Sequence, residues 1–137
     1  MFSQVTIIGR LGKDPELRFT PTGQQVATFP VATDHQYTDH SGQLVKITTW
    51  FRVAAWGKMA ENCSNYLKKG KLVMVQGELS PDAKTGAPRI WTGDDGMAHA
   101  TYELNAWIVK FLSPSDHAAG QPVEPAEIQG DENEIPY

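Results

Sequence analysis

The segment of this 137-residue chain with the most chemical content is Thr49-Trp50-Phe51-Arg52-Val53-Ala54-Ala55-Trp56-Gly57-Lys58. Read as a strand, it sends successive side chains to opposite faces. Thr49, Phe51, Val53 and Ala55 then share a face suited to a barrel interior, while Trp50, Arg52, Ala54 and Trp56 share the other. Two indoles flanking a guanidinium are a poor choice for a face that meets only water. They suit flat aromatic partners: nucleobases stack on the indoles, and the guanidinium meets phosphate or a π-face. The competing use of the same indoles is as apolar cover against the helix or a second subunit.

More side chains of the same two kinds lie in the connecting segments. Tyr37 falls in a polar stretch, 34–46, and Trp91 in a long excursion, 80–100. Lys13 and Arg18 follow the first strand, Lys58, Lys68, Lys69 and Lys71 surround the helix, and Arg89 stands beside Trp91. Aromatics interleaved with cations are the general recipe for holding a single nucleic-acid strand without a sequence code. Catalysis finds little support. Gly12-Lys13, Gly57-Lys58 and Gly70-Lys71 are not followed by Ser or Thr and lack the upstream glycine of a phosphate loop. His35, Asp39 and His40, or Asp94, Asp95 and His99, have metal-ligating types but sit in polar, glycine-rich loops where such residues are solvated. The reading is therefore a binding protein that is not an enzyme, with no cofactor and no metal.

The elements that must position these groups are short β-runs separated by turn signals. The first covers 4–11 and closes at Gly12-Lys13-Asp14-Pro15; after Pro21-Thr22-Gly23 comes 25–33, in which Pro30 requires an edge or a bulge. Residues 34–46 form a polar loop or hairpin around Ser41-Gly42, and the third strand is 47–56. Between 57 and 70 the period changes: Met59, Cys63, Tyr66 and Leu67 lie on one helix face, Lys68 and Lys69 in the last turn, and Gly70 as the stop. Strand four is 71–79 and strand five 101–112. This order predicts an all-β fold, a five-stranded OB-fold barrel with one α-helix between strands 3 and 4. An OB module that binds RNA, an oligosaccharide or only protein shares that order.

Composition divides the chain at 112/113. Residues 113–137 hold six acids and no lysine or arginine; of the 12 basic and 16 acidic residues, 12 and 10 remain in 1–112, a net of +2 against −4 for the whole. The tail is rich in Ser, Pro, Gly, Ala and Gln and predicts a disordered acidic segment. Its end, Asp131-Glu132-Asn133-Glu134-Ile135-Pro136-Tyr137, places an apolar tip on an acidic stem. Cys63 stands alone, which excludes an internal disulfide and predicts a small buried apolar residue. The sequence shows no signal-peptide pattern and no apolar run long enough to span a membrane, so a soluble protein of a reducing compartment is expected.

The run Ile8-Gly9-Arg10-Leu11-Gly12-Lys13-Asp14-Pro15-Glu16 with Arg18-Phe19-Thr20 resembles the opening of bacterial single-stranded DNA-binding proteins. Val31-Ala32-Thr33, the stretch 49–61 and Tyr66-Leu67-Lys68-Lys69-Gly70 are similar as well, so the resemblance covers about 1–112 and returns at the extreme C-terminus. It implies a homotetramer, or an equivalent four-OB assembly, that wraps single-stranded DNA in the cytoplasm at the nucleoid. It also implies base stacking by Tyr37, Trp50, Trp56 and Trp91, and phosphate contacts from Arg18, Arg52, Lys58, Lys68, Lys69 and Arg89. Asp131, Glu132, Glu134, Ile135, Pro136 and Tyr137 correspond to the tip that recruits replication and repair proteins. Here Tyr137 stands where well-known members end in Phe, the spacer 113–130 is short, and 80–90 is expanded.

Overall fold

Strict alternation of buried and outward residues builds the ring of this computed structural model, which describes residues 1–114. In β1 (Val5–Leu11), Ile7 and Leu11 point inward. So do Ala27, Phe29 and Val31 of β3 (Gln25–Thr38), Val53 and Ala55 of β4 (Leu44–Trp56), and Val73 and Val75 of β5 (Leu72–Leu79). Leu104 and Ala106 of β8 (Tyr102–Phe111) complete the core. β1 pairs antiparallel with β5, β5 with β8, β8 runs parallel to β4, β4 pairs antiparallel with β3, and β3 returns to β1 through Arg10↔Ala32 and Leu11↔Val31. The five strands thus close on themselves, which removes the free edges an open sheet exposes. The expected OB-fold barrel is the observed architecture.

The only helix among the described residues, α1 (Lys58–Tyr66), joins β4 to β5 and covers one end of the barrel with Ala60 and Cys63. Gly57 makes the corner between β4 and α1 at φ 64, a left-handed conformation that a Cβ disfavours. Burial pushes the Cys63 thiol up to about 11, which leaves it protonated and inert, as its reading as an apolar residue requires.

Three expectations change, and one left open is decided. α1 ends at Tyr66, so Lys68 and Lys69 do not occupy its last turn; Leu67 is extended yet buried, and Tyr66 is exposed and meets Phe111 instead of the core. The cause is tertiary: the Lys69 amide donates to Asp14 Oδ1 (2.8 Å) and the Gly70 amide to the Leu11 carbonyl (2.8 Å), which draws the chain off the helix axis. The segment 34–46 is the hairpin alternative, with β3 and β4 running on to Thr38 and Leu44 around a turn in which Asp39 Oδ1 accepts from the Ser41 amide (2.9 Å), the Ser41 hydroxyl (2.6 Å) and the Gln43 amide (2.9 Å). A further strand, β2 (Glu16–Phe19), adds to β3, and the excursion contains a hairpin of β6 (Ile90–Thr92) and β7 (Ala98–Ala100). Pro30 lies where β3 has passed β2 and not yet met β1, a gap that excuses its missing N–H. The tail residues from 115, including every tip residue, lie outside the described residues.

Candidate nucleic-acid interface

β4 turns Trp50, Arg52 and Trp56 outward, opposite the buried Val53 and Ala55. Trp50 is 47% and Trp56 43% exposed, so neither indole is sealed in the core. Six residues of strand separate them by about 20 Å, which assigns them to different bases and rules out a shared sandwich.

Register gives each indole its neighbours. Trp56 is level with Val26 and, one strand further, Arg18, whose guanidinium holds Glu16 at 2.7 Å. Trp50 is level with Ala32 and Arg10, and Arg10 Nη1 donates to the Gly70 carbonyl (2.9 Å). The Trp50 indole lies against Gly12: a Cβ built there would stand 2.5 Å from the ring. Beside it, Gly12, Lys13, Asp14, Thr28, Pro30, Arg52 and Thr101 help line an open cleft of about 400 Å³. Lys58 sits just after Trp56 and pairs with Glu61 (3.1 Å), whereas Lys68 and Lys69 stand past the other end of α1, where the Lys69 amide is tied to the cleft residue Asp14.

Arg52 is in register with Glu103 of β8, and Glu103 Oε1 lies 4.0 Å from Arg52 Nη1 and 2.8 Å from Arg89 Nη2. Arg89 leads directly into β6, which carries Trp91, 48% exposed. Trp91 stacks on the cross-strand His99 with ring centroids 4.8 Å apart and planes 26° from parallel. His99 Nε2 is in turn 3.0 Å from Asp95 Oδ1. The Met97 amide, followed by this imidazole, holds the Asp95 carboxyl below its usual range. Tyr37 does not join the row. It has the strand phase of Phe29 and Val31, so it occupies the other face of the β3–β4 ribbon, where it stacks on His35 (6.2 Å).

The predicted aromatics and cations therefore form one outward row on β4 with cations around it, a separate arm carrying Trp91, and Tyr37 on the reverse face. Sequence reasoning missed Glu103, Arg10, the stacking of His99 on Trp91 and the contact of Gly12 with Trp50. Among the described residues no three His, Cys, Asp or Glu side chains gather as metal ligands, and no helix is long and apolar enough to cross a membrane.

Residues 2–112 match the Single-strand binding protein family. The chain is 37% identical over 123 residues to the "Single-stranded DNA-binding protein" of Neisseria meningitidis serogroup A, covering 89% of this chain and 67% of the relative. It is 37% identical over 133 residues to that of Caldanaerobacter subterraneus subsp. tengcongensis, covering 96% and 83%. Among solved structures, a deletion mutant of the single-stranded DNA binding protein from Thermus aquaticus superposes with a TM-score of 0.62 at 30% identity, over 80% of this chain and 50% of that one. A "Plasmodium falciparum SSB complex with ssDNA" gives 0.67 at 26% identity, over 82% and 97%. With the barrel, the outward row and a match over most of its length, the chain belongs to the single-strand binding protein family.

Proposed function

We propose that this chain binds single-stranded DNA without regard to sequence and protects it during replication, recombination and repair. The observation that carries the reading is the outward row Trp50–Arg52–Trp56, whose indoles remain nearly half exposed on the face opposite the core. Relatives at 37% identity bear the name of that activity, and a structural likeness was solved with single-stranded DNA. Bases stack on Trp50, Trp56 and Trp91, with Tyr37 receiving the strand where it passes around the ribbon. Arg18, Arg52, Lys58, Lys68, Lys69 and Arg89 take phosphates; for Arg18, Arg52 and Lys58 this means exchanging a carboxylate for a phosphate oxygen, whereas Arg89 uses N–H donors other than the one that holds Glu103. The proposed activity is binding alone, with no catalysis and no cofactor.

Each phosphate neutralised releases counterions, so log affinity falls by about 0.7 per contacted phosphate per log unit of salt. The test is affinity for oligo-dT and for a duplex of equal length across a salt series. Tight, salt-dependent binding of oligo-dT with much weaker duplex binding is expected; equal affinity for the two contradicts the reading. Gly12→Ala should push the Trp50 indole off its seat and cost up to about the 1–3 kcal/mol of one stacked base. Fluorescence titration with oligo-dT measures this, and a wild-type affinity would show that Gly12 does not seat the ring.

Four copies wrapping the strand is the proposed assembly. Ile8 on β1 and Trp107 and Ile108 on β8, all exposed on the outer surface, supply apolar area for it. The tail tip, with acids Asp131, Glu132 and Glu134 and apolar Ile135, Pro136 and Tyr137, is proposed to dock in basic-rimmed pockets of replication and repair proteins. Deleting 131–137 should leave or strengthen DNA binding and abolish recruitment in pull-downs; recruitment that survives the deletion assigns it elsewhere. These roles place the protein at the bacterial nucleoid.

A further inference from the structure

A carboxylate on a face built for phosphate requires a reason, because by charge alone it repels the ligand. Glu103 is such a group. Its side chain is only 19% exposed, so water screens its ion pairs less than those of a surface pair. It also makes contacts on three sides. Its backbone carbonyl accepts from the Ser80 amide (2.8 Å), where the chain leaves β5. Its carboxylate accepts from Arg89 (2.8 Å), where the chain enters β6, and stands 4.0 Å from Arg52. One residue thus closes both ends of the connection between β5 and β6. β6 and β7 hydrogen-bond to each other in a two-stranded sheet separate from the barrel, so the arm depends on such ties for its placement.

We propose that Glu103 is a positioning residue of the strand-binding face: through Arg89 it sets the Trp91 arm relative to the Trp50–Arg52–Trp56 row. The inference rests on the reading that this row stacks bases. On strand binding, phosphate displaces the longer contact, that of Arg52, while the 2.8 Å pair with Arg89 persists and keeps Trp91 in line.

The test measures oligo-dT affinity of the full chain at low salt and at about 1 M NaCl, where screening acts within ~3 Å. Glu103→Gln removes the charge, and Glu103→Asp keeps it but withdraws it by one methylene from Arg89. At high salt both variants should bind roughly three- to tenfold more weakly, and the loss should vanish in a Trp91→Ala background because the two residues act as one unit. Tighter binding by Glu103→Gln with Glu103→Asp unchanged identifies a mere repulsive charge and overturns the proposal. An equal loss with and without Trp91 overturns it too. Should Glu103→Gln fail to fold, Glu103→Asp carries the same comparison. Trp50→Ala and Trp56→Ala run in parallel: if they bind like wild type, the stacking reading itself falls, whereas if only the Glu103 pattern fails, the positioning role alone is lost.

Discussion

Replacing Trp50 or Trp56 with alanine is expected to weaken oligo-dT binding by about 1–3 kcal/mol each, roughly 5- to 150-fold at constant salt. The size follows from geometry. Each indole is outward and half-exposed, so its loss removes a stacking platform without opening a cavity in the core. The rings are about 20 Å apart along β4 and engage different bases, so their costs should add in the double variant. The salt slope should stay at its wild-type value, because no phosphate contact has gone; Lys58→Ala should instead lower the slope by about 0.7. Titration of each variant at two salt concentrations separates the terms. Wild-type affinity in both single variants, with intact thermal unfolding, would assign the strand to another surface.

Phe29→Ala is expected to cost about 3–5 kcal/mol of folding stability. Phe29 is 1% exposed and is the largest of the fully buried side chains; it faces Val53 across the β3–β4 pair and packs with Val31, Leu104 and Val75 inside the closed ring. A closed barrel cannot slide its strands together to refill the space without breaking ladder hydrogen bonds, so most of the cavity should persist. The melting temperature should fall on the order of 10–20 °C by calorimetry. A drop corresponding to less than about 1 kcal/mol would mean that the ring collapses around the void, contrary to a packed interior.

The parts of the fold that sequence could reveal are those where burial follows a local period. The alternation from Thr49 to Trp56, with Val53 and Ala55 in and Trp50 and Trp56 out, is written in adjacent residues, and so are the buried positions of β5. β2 left no such trace. All four of its residues are exposed, and only pairing with β3 makes them a strand. The extension of β3 beyond Thr33 is likewise exposed and largely polar, that of β4 before Ile47 is only Leu44, half-buried Val45 and Lys46, and the two are held by cross-strand bonds and by the Asp34–Thr48 contact (2.8 Å). Ending β3 at Thr33 left the phase of Tyr37 unread, and with it the fact that this ring faces away from the row.

Leu67 shows how periodicity can be right about burial and wrong about conformation. It is buried, as its spacing from Cys63 implies, but extended, because Asp14 and Leu11 capture the amides of Lys69 and Gly70 from across the molecule. The Glu103 contacts belong to the same class. Parallel register places it beside Arg52, a relation no sequence window contains.

Tryptophan emission during titration with oligo-dT at about 1 M NaCl, where screening leaves stacking dominant, interrogates the β4 row most directly. Strong quenching that saturates with bound dT, and that a duplex of the same length does not produce, is the expected result. Unchanged emission while a labelled oligo-dT reports full binding would contradict it, because a strand that leaves the indoles undisturbed does not lie across Trp50 and Trp56.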